Sequence, residues 1–290
     1  MTDWGQKSSV GEPYSDAGFV VMDAWKDDVQ ASSKPSDDLK RKYEELQGKF
    51  YGLAKQSKML EAIFTMMNTT VQKCKRKFVI VQVGENEPFV SELLSSLPLT
   101  IADLEPYQIH TFYRSVGHMI QGESDPRKKD ECLQKLMELS NQKWAEIVGQ
   151  GHQNVDFLKD QNVIRTMLNI LQTNASVATS LGTYFLSQIT LIFLDMLNVC
   201  RMYSELISNS IAEGGPFASK TSYAKLLLSV KGETHKLTEI FLDKAEDQSQ
   251  IGKQLVSPMM DPVLGDYTRN VPDARESEVL SLFAILCLCY

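Results

Sequence analysis

Hydrophobic positions along this chain recur mainly at three- and four-residue steps. The longest such run is Thr183 to Gly215. There Phe185, Ile189, Ile192, Phe193, Met196, Leu197, Val199, Tyr203, Leu206 and Ile207 fall on one broad face of an α-helix. Gln188, Asp195, Asn198, Arg201, Glu205 and Ser208 fall mostly on the other side. A face this wide needs partner helices on more than one side. Gly214, Gly215 and Pro216 stop the run, glycine by a left-handed cap and proline because it cannot continue a helix. Asp195, Arg201 and Glu205 argue for a buried helix and against a membrane span.

The same period predicts helices elsewhere. Residues 59–78 place Leu60, Ile63, Phe64, Met67, Val71 and Cys74 on one side. Pro88, Pro106 and Pro126 each follow an acidic residue, the pattern of a helix whose first position is proline. They predict helices over 88–103, 106–121 and 126–139. Ser140 reads as a break before a further helix with Trp144, Ile147 and Val148, ended by Gly149 and Gly151. Helices follow over 158–173 and 220–243, then one over 251–267 disturbed by Pro258 and Pro262. A last helix runs from about 274, with Asp273 and Glu276 as a capping-box-like start. Phe78–Val83 is the one β-like hexamer, and it continues a helix. The fold class is all-α. Second helices of successive pairs begin near 106, 158, 220 and 275, a longer spacing than the ~40–47 residues of regular HEAT repeats. This is the pattern of an irregular α-solenoid fragment in which each pair buries its face on its neighbours.

The amino-terminal quarter differs. Residues 1–36 show no period, and read as a largely disordered acidic arm. Phe19 and Trp25, with Val20 and Val21, are its candidate docking anchors, and an unstructured tail is the alternative reading. Residues 37–66 form an amphipathic helical segment with a narrow Leu39, Tyr43, Leu46, Phe50 and Leu53 seam. The helical array occupies 67–290.

Composition narrows the function classes. The 290 residues are 43% hydrophobic and 23% charged, enough apolar material for a core. A net charge of −7 argues against nucleic acid as a partner. Six acids against Lys7 and Lys26 in the first 28 residues are wrong for a basic transit peptide. Five scattered cysteines do not form a disulfide framework, and Cys74, Cys132 and Cys200 read as reduced core thiols of a cytosolic or nuclear protein.

Catalytic chemistry is not evident. His110 and His118 lie eight apart on one helix, too far for the three- or four-residue spacing of a helical zinc pair. Ser222-Tyr223-Ala224-Lys225 matches SxxK without a companion motif. Cys287 and Cys289 are too close for half a zinc knuckle. The expectation is a protein that is not an enzyme and holds no cofactor or metal. Lys73, Lys75, Arg76 and Lys77 remain a candidate binding patch, for an import receptor or an acidic partner. Cations stabilising a helix C-terminus are the simpler reading of the same residues. The last helix, with Leu280, Leu282, Phe283, Ile285, Leu286 and Leu288, offers an apolar surface for self-association.

Longer strings carry a resemblance. VQKCKRKFVIVQVGENEPFV (71–90), IHTFYRSVGHMI (109–120), NQKWAEI (141–147) and NVDFLKD (154–160) resemble the exportin-1 family of nuclear export receptors, within the importin-β superfamily. So do FLDMLNV (193–199), GGPFASKTS (214–222) and YTRNVPDARESEVLSLFA (267–284), in the family's order. The resemblance implies HEAT repeats, location in nucleus and cytoplasm, and protein partners, either transport factors or another helical protein. Residues 1–66 and the closing ILCLCY have no counterpart. Nor does this chain resemble the family's Ran-embracing repeats or its export-signal groove, which argues against Ran-GTP and leucine-rich export signals as partners. The expected role is a non-enzymatic interaction module derived from an export receptor. A chimeric protein, whose arm and tail carry an unrelated and antagonistic or toxic interaction, is the alternative.

Overall fold

The computed structural model describes residues 41, 45, 58–59, 61–243, 255–270, 272 and 275–289. The chain divides into two units, Met1–Leu60 and Glu61–Tyr290, and the fold below is that of the second. Phe19, Trp25, the Leu39–Leu53 seam and Asp273 lie outside the described residues.

The described residues contain helices and no strand. In chain order they are α1 (61–74), α2 (Phe89–Ser95), α3 (Leu97–Ile101), α4 (Pro106–Gln121), α5 (Pro126–Gln153), α6 (Gln161–Leu181), α7 (Leu186–Gly214), α8 (Ser222–Asp243), a distorted segment α9 (255–269), and α10 (Ser277–Cys289). Two rows result. Helices α4, α6, α8 and α10 pack side by side in one, and α5, α7 and α9 form the other. The second helices of the pairs therefore start at Pro106, Gln161, Ser222 and Ser277, close to the positions read from periodicity. This is an all-α, HEAT-like solenoid arrangement.

Local chemistry sets most helix ends. The Asp125 side chain accepts from the Arg127 N–H, and Asp160 accepts from Asn162 and Val163. Glu105 and Gln108 form a reciprocal capping box, a stronger start than glutamate ordinarily makes. Gly215 at φ 72° ends α7, in a backbone region that a side chain would strain. Pro258 and Pro262 do disturb their helix, which becomes π-helical over Met260–Gly265.

Five expectations fail for identifiable reasons. Ser140 breaks nothing. The stripe Leu133, Leu136, Met137, Trp144, Ile147 and Val148 stays in register through it, and Ser140 lines one pocket with Tyr113. Gly149 and Gly151 lie within α5, where the bare Gly151 lets Leu158 pack closely. Helix 88–103 is two short helices hinged at Ser96, and Pro88 caps rather than starts the first. Phe78–Val83 leaves its helix. Phe78 packs on Phe89 while Ile80, Val81 and Val83 are exposed. On α1, Ile63 and Cys74 are exposed and Val71 carries the burial, so Cys74 is not a core thiol.

The core runs between the rows. Ile189, Phe193, Met196, Tyr203 and Ile207 of α7, and Phe185 just before it, are buried, as the period predicts. Small residues allow close approach in the other row. A Cβ on Gly117 of α4 would stand 2.0 Å from the Ser180 hydroxyl of α6. The helical run Gln161–Gly214 includes a window long and apolar enough to cross a membrane, half of it buried inside this fold.

Gln188 departs from expectation most usefully. It was placed on the polar side of its helix, yet it is buried. Its amide exchanges hydrogen bonds with Asn141 of α5 at 3.0 and 2.7 Å and donates to Asn174 of α6 at 3.1 Å. Replacing it by leucine takes the partner from the buried Asn174 oxygen and from the half-buried Asn141 amide. Gln188→Leu should lower stability by about 1–3 kcal/mol, read as a lower urea midpoint. An unchanged midpoint would mean that this amide network contributes no net stability.

Candidate functional site

The densest polar constellation sits where the last helices meet. Lys231 of α8 is 1% exposed, and its ammonium lies 3.1 Å from Glu276 and 3.4 Å from Asp266. It also donates to Ser204 of α7 at 2.9 Å. Ser204 donates to Asp266 at 2.6 Å. Asn270 donates to both Ser204 (2.7 Å) and Asp266 (2.8 Å) and accepts from Ser208. One buried cation thus ties both rows together. The helical period puts Lys231 on the core side of α8 with Leu227, Val230 and Thr234. A cation there must be paired.

Burial and charge perturb this cluster. Burial raises the Glu276 carboxyl to about 7 against the pull of Lys231. Burial, then Lys231, lowers His235 to about 3. Burial pushes the Cys200 thiol up to about 12, and its sulfur lies 3.6 Å from His235 Nε2. His235 Nδ1 and Glu276 Oε1 have no partner. Burial works against the Lys231 ammonium, but Glu276, Cys200 and Asp266 together raise its pKa. Such perturbation commonly marks catalysis. Here a thiol held protonated, a neutral imidazole and a paired lysine are buried from substrate, and the arrangement does architectural work. Sequence reading passed over Lys231, Asp266 and Asn270. The polar interruption of a buried stripe at Lys231 was the available signal.

Beside this cluster, α6, α8 and the start of α10 enclose a groove of about 550 Å³. Glu233, Glu276 and Glu278 line it together with Lys236 and Arg275. Lys236 pairs with Glu233, and Arg275 donates to the backbone of Asn270 and Thr268.

The residues singled out from sequence do not converge. Lys73, Arg76 and Lys77 are exposed around the end of α1, while half-buried Lys75 donates to Gln121 at 2.9 Å. The Lys75 backbone approaches Gly122, so this cluster closes a helix junction as well as presenting charge. His110 and His118 stay apart, with Gln72 bonded to His118. Ser222 and Lys225 are exposed at the start of α8. Among the described residues no group of three or more His, Cys, Asp or Glu side chains is placed to hold a metal ion. On α10, Val279, Leu282 and Leu286 are buried against the array, while Leu280, Phe283 and Cys287 are exposed.

Comparison with known proteins places these features. Residues 188–288 match the family described as CRM1 C terminal. Over 216 residues the chain is 77% identical to Protein EXPORTIN 1A and 74% identical to Protein EXPORTIN 1B of Arabidopsis thaliana. It is 42% identical to Exportin-1 of Dictyostelium discoideum over 215 residues. Each match covers 74% of this chain and 20% of the relative. The exportin-1 resemblance is therefore real and partial, and the chain spans about a fifth of the length of the curated relatives it matches.

Two groups here titrate with opposite signs. His235 is held neutral, so folding loses stability as pH falls from its ordinary 6.5 toward about 3. The raised Glu276 favours its protonated form, so that contribution is lost as pH rises from its ordinary 4.5 through about 7. Glu276→Gln should leave a thermal midpoint that climbs with pH across that shared window, and His235→Phe one that falls. If both variants keep the parent's pH profile, neither group is linked to folding.

Proposed function

We propose that this chain, homologous in part to the exportin-1 nuclear export receptors, is a non-enzymatic protein-interaction module that acts with the nucleocytoplasmic transport machinery. What carries the reading is the long exportin-1-like sequence, folded as two rows of helices whose perturbed polar groups are consumed in holding helix to helix. The outer faces are left for partners. In this reading residues 67–290 form the array, 37–66 an additional helical segment and 1–36 an arm, and the protein distributes between nucleus and cytoplasm. The apolar window within Gln161–Gly214 is core, consistent with its half-burial. Lys73, Lys75, Arg76 and Lys77 are a surface patch for an acidic partner, and the exposed side of α10, with Leu280 and Phe283, is a route to self-association.

The part of the chain outside the exportin-1 match favours one further reading, that residues 1–66 bring a separate partner. A single experiment separates the two. The full chain and a version beginning at Val71 are used as affinity baits, with bound proteins identified by mass spectrometry. Recovery of the same nuclear transport factors by both supports the interaction module. Transport factors absent from both would overturn it, and a partner lost with the arm would establish the second reading.

A further inference from the structure

A groove of about 690 Å³ lies over the start of α7, flanked by α5 and α9. Phe193 and Leu255, both buried, line it together with Tyr184 and Leu194, which are 45% and 61% exposed. Leu191, one turn before Leu194, is exposed as well. The Lys129 ammonium lies 3.7 Å from the centre of the Tyr184 ring, and that contact holds the aromatic wall in place. Among the described residues lining the groove, Asp130 alone is charged. An apolar concavity of this size, with one exposed charge, fits the apolar face of a helix.

The same chain carries such a face. Helix α10 has one charged residue, Glu278 in its first turn. A helix apolar on every side is ordinarily buried on every side. Val279, Leu282 and Leu286 are buried against α8 and α9. Leu280, Phe283, Ala284 and Cys287 are exposed, and their spacing of i, i+3, i+4 and i+7 is that of helix anchors in a groove. Arg275, exposed at the foot of α10, is opposite in sign to Asp130, while Glu278 accepts from the Ser277 hydroxyl at 3.2 Å. The inner side of α10 is spent within the chain, and no described α10 residue is among those that line the groove. An α10 that fills the groove therefore comes from another copy.

We propose that the exposed side of α10 docks in the α7 groove of a second copy, with Leu280, Phe283 and Cys287 on Phe193 and Leu194, and Arg275 beside Asp130. This rests on the self-association assigned to α10 above and names the surface that receives it. The two surfaces differ, so the contact is head-to-tail. Each assembly keeps a free groove at one end and a free α10 at the other, and it grows with concentration.

The test is sedimentation velocity of the full chain across a concentration series, with two variants at exposed positions, Leu194→Asp in the groove and Phe283→Asp on α10. The parent should form dimers and then larger species as concentration rises. Each variant alone should weaken association at least about tenfold, since a carboxylate buried without a partner in an apolar contact is costly. An equimolar mixture of the two should recover dimers and nothing larger, because the intact α10 of one variant meets the intact groove of the other. Association lost with Phe283→Asp but untouched by Leu194→Asp would overturn the proposal and leave α10 pairing with α10. A mixture that recovers no dimer would overturn it as well. A parent that stays monomeric throughout would overturn both the proposal and the self-association on which it rests.

Discussion

Each helix of this array presents a face too apolar to remain wet, and no helix can cover its own. Stability therefore comes from stacking, one helix pair against the next. The consequence is visible in α7. Its inward side chains touch the facing row, while Leu191 and Leu194 on its outer side remain largely exposed. Because every pair depends on its neighbours, what matters locally is the angle and register at which successive pairs meet.

Two polar devices hold that register. The Asn141–Gln188–Asn174 amides link α5, α7 and α6 in the middle of the array. The Lys231 cluster links α7, α8, α9 and the start of α10. Apolar faces can slide past one another with little penalty. Buried hydrogen-bonding groups cannot, since a shifted register leaves them without partners. The groups that look most like catalysts, Cys200, His235 and Glu276, belong to this second device. Their perturbed titration follows from burial, and the same packing leaves one buried oxygen of Glu276 without a partner.

Much of this was legible along the chain. Asp125 and Pro106 announced helix starts because capping and the missing proline N–H are local effects. Gly215 announced an end for the same reason. The three- and four-residue stripe of α7 named nearly all of its buried face. Ser140 misled because a polar residue in an apolar stripe resembles a boundary. It lines one pocket with Tyr113, a residue far away in sequence. Gln188 and Lys231 misled in the same manner, one assigned to the wet side and the other passed over.

Along the chain alone one reads an all-α array over 67–290, the starts of the second helix of each pair, and the protein family that the longer strings resemble. Those properties rest on local caps, periodicity and contiguous strings. The packing of helix on helix sets which polar residues are buried, that one lysine joins two carboxylates from later in the chain, and that a groove opens beside it. These depend on the partner a side chain meets across the helix rows, and no spacing along one chain specifies that partner.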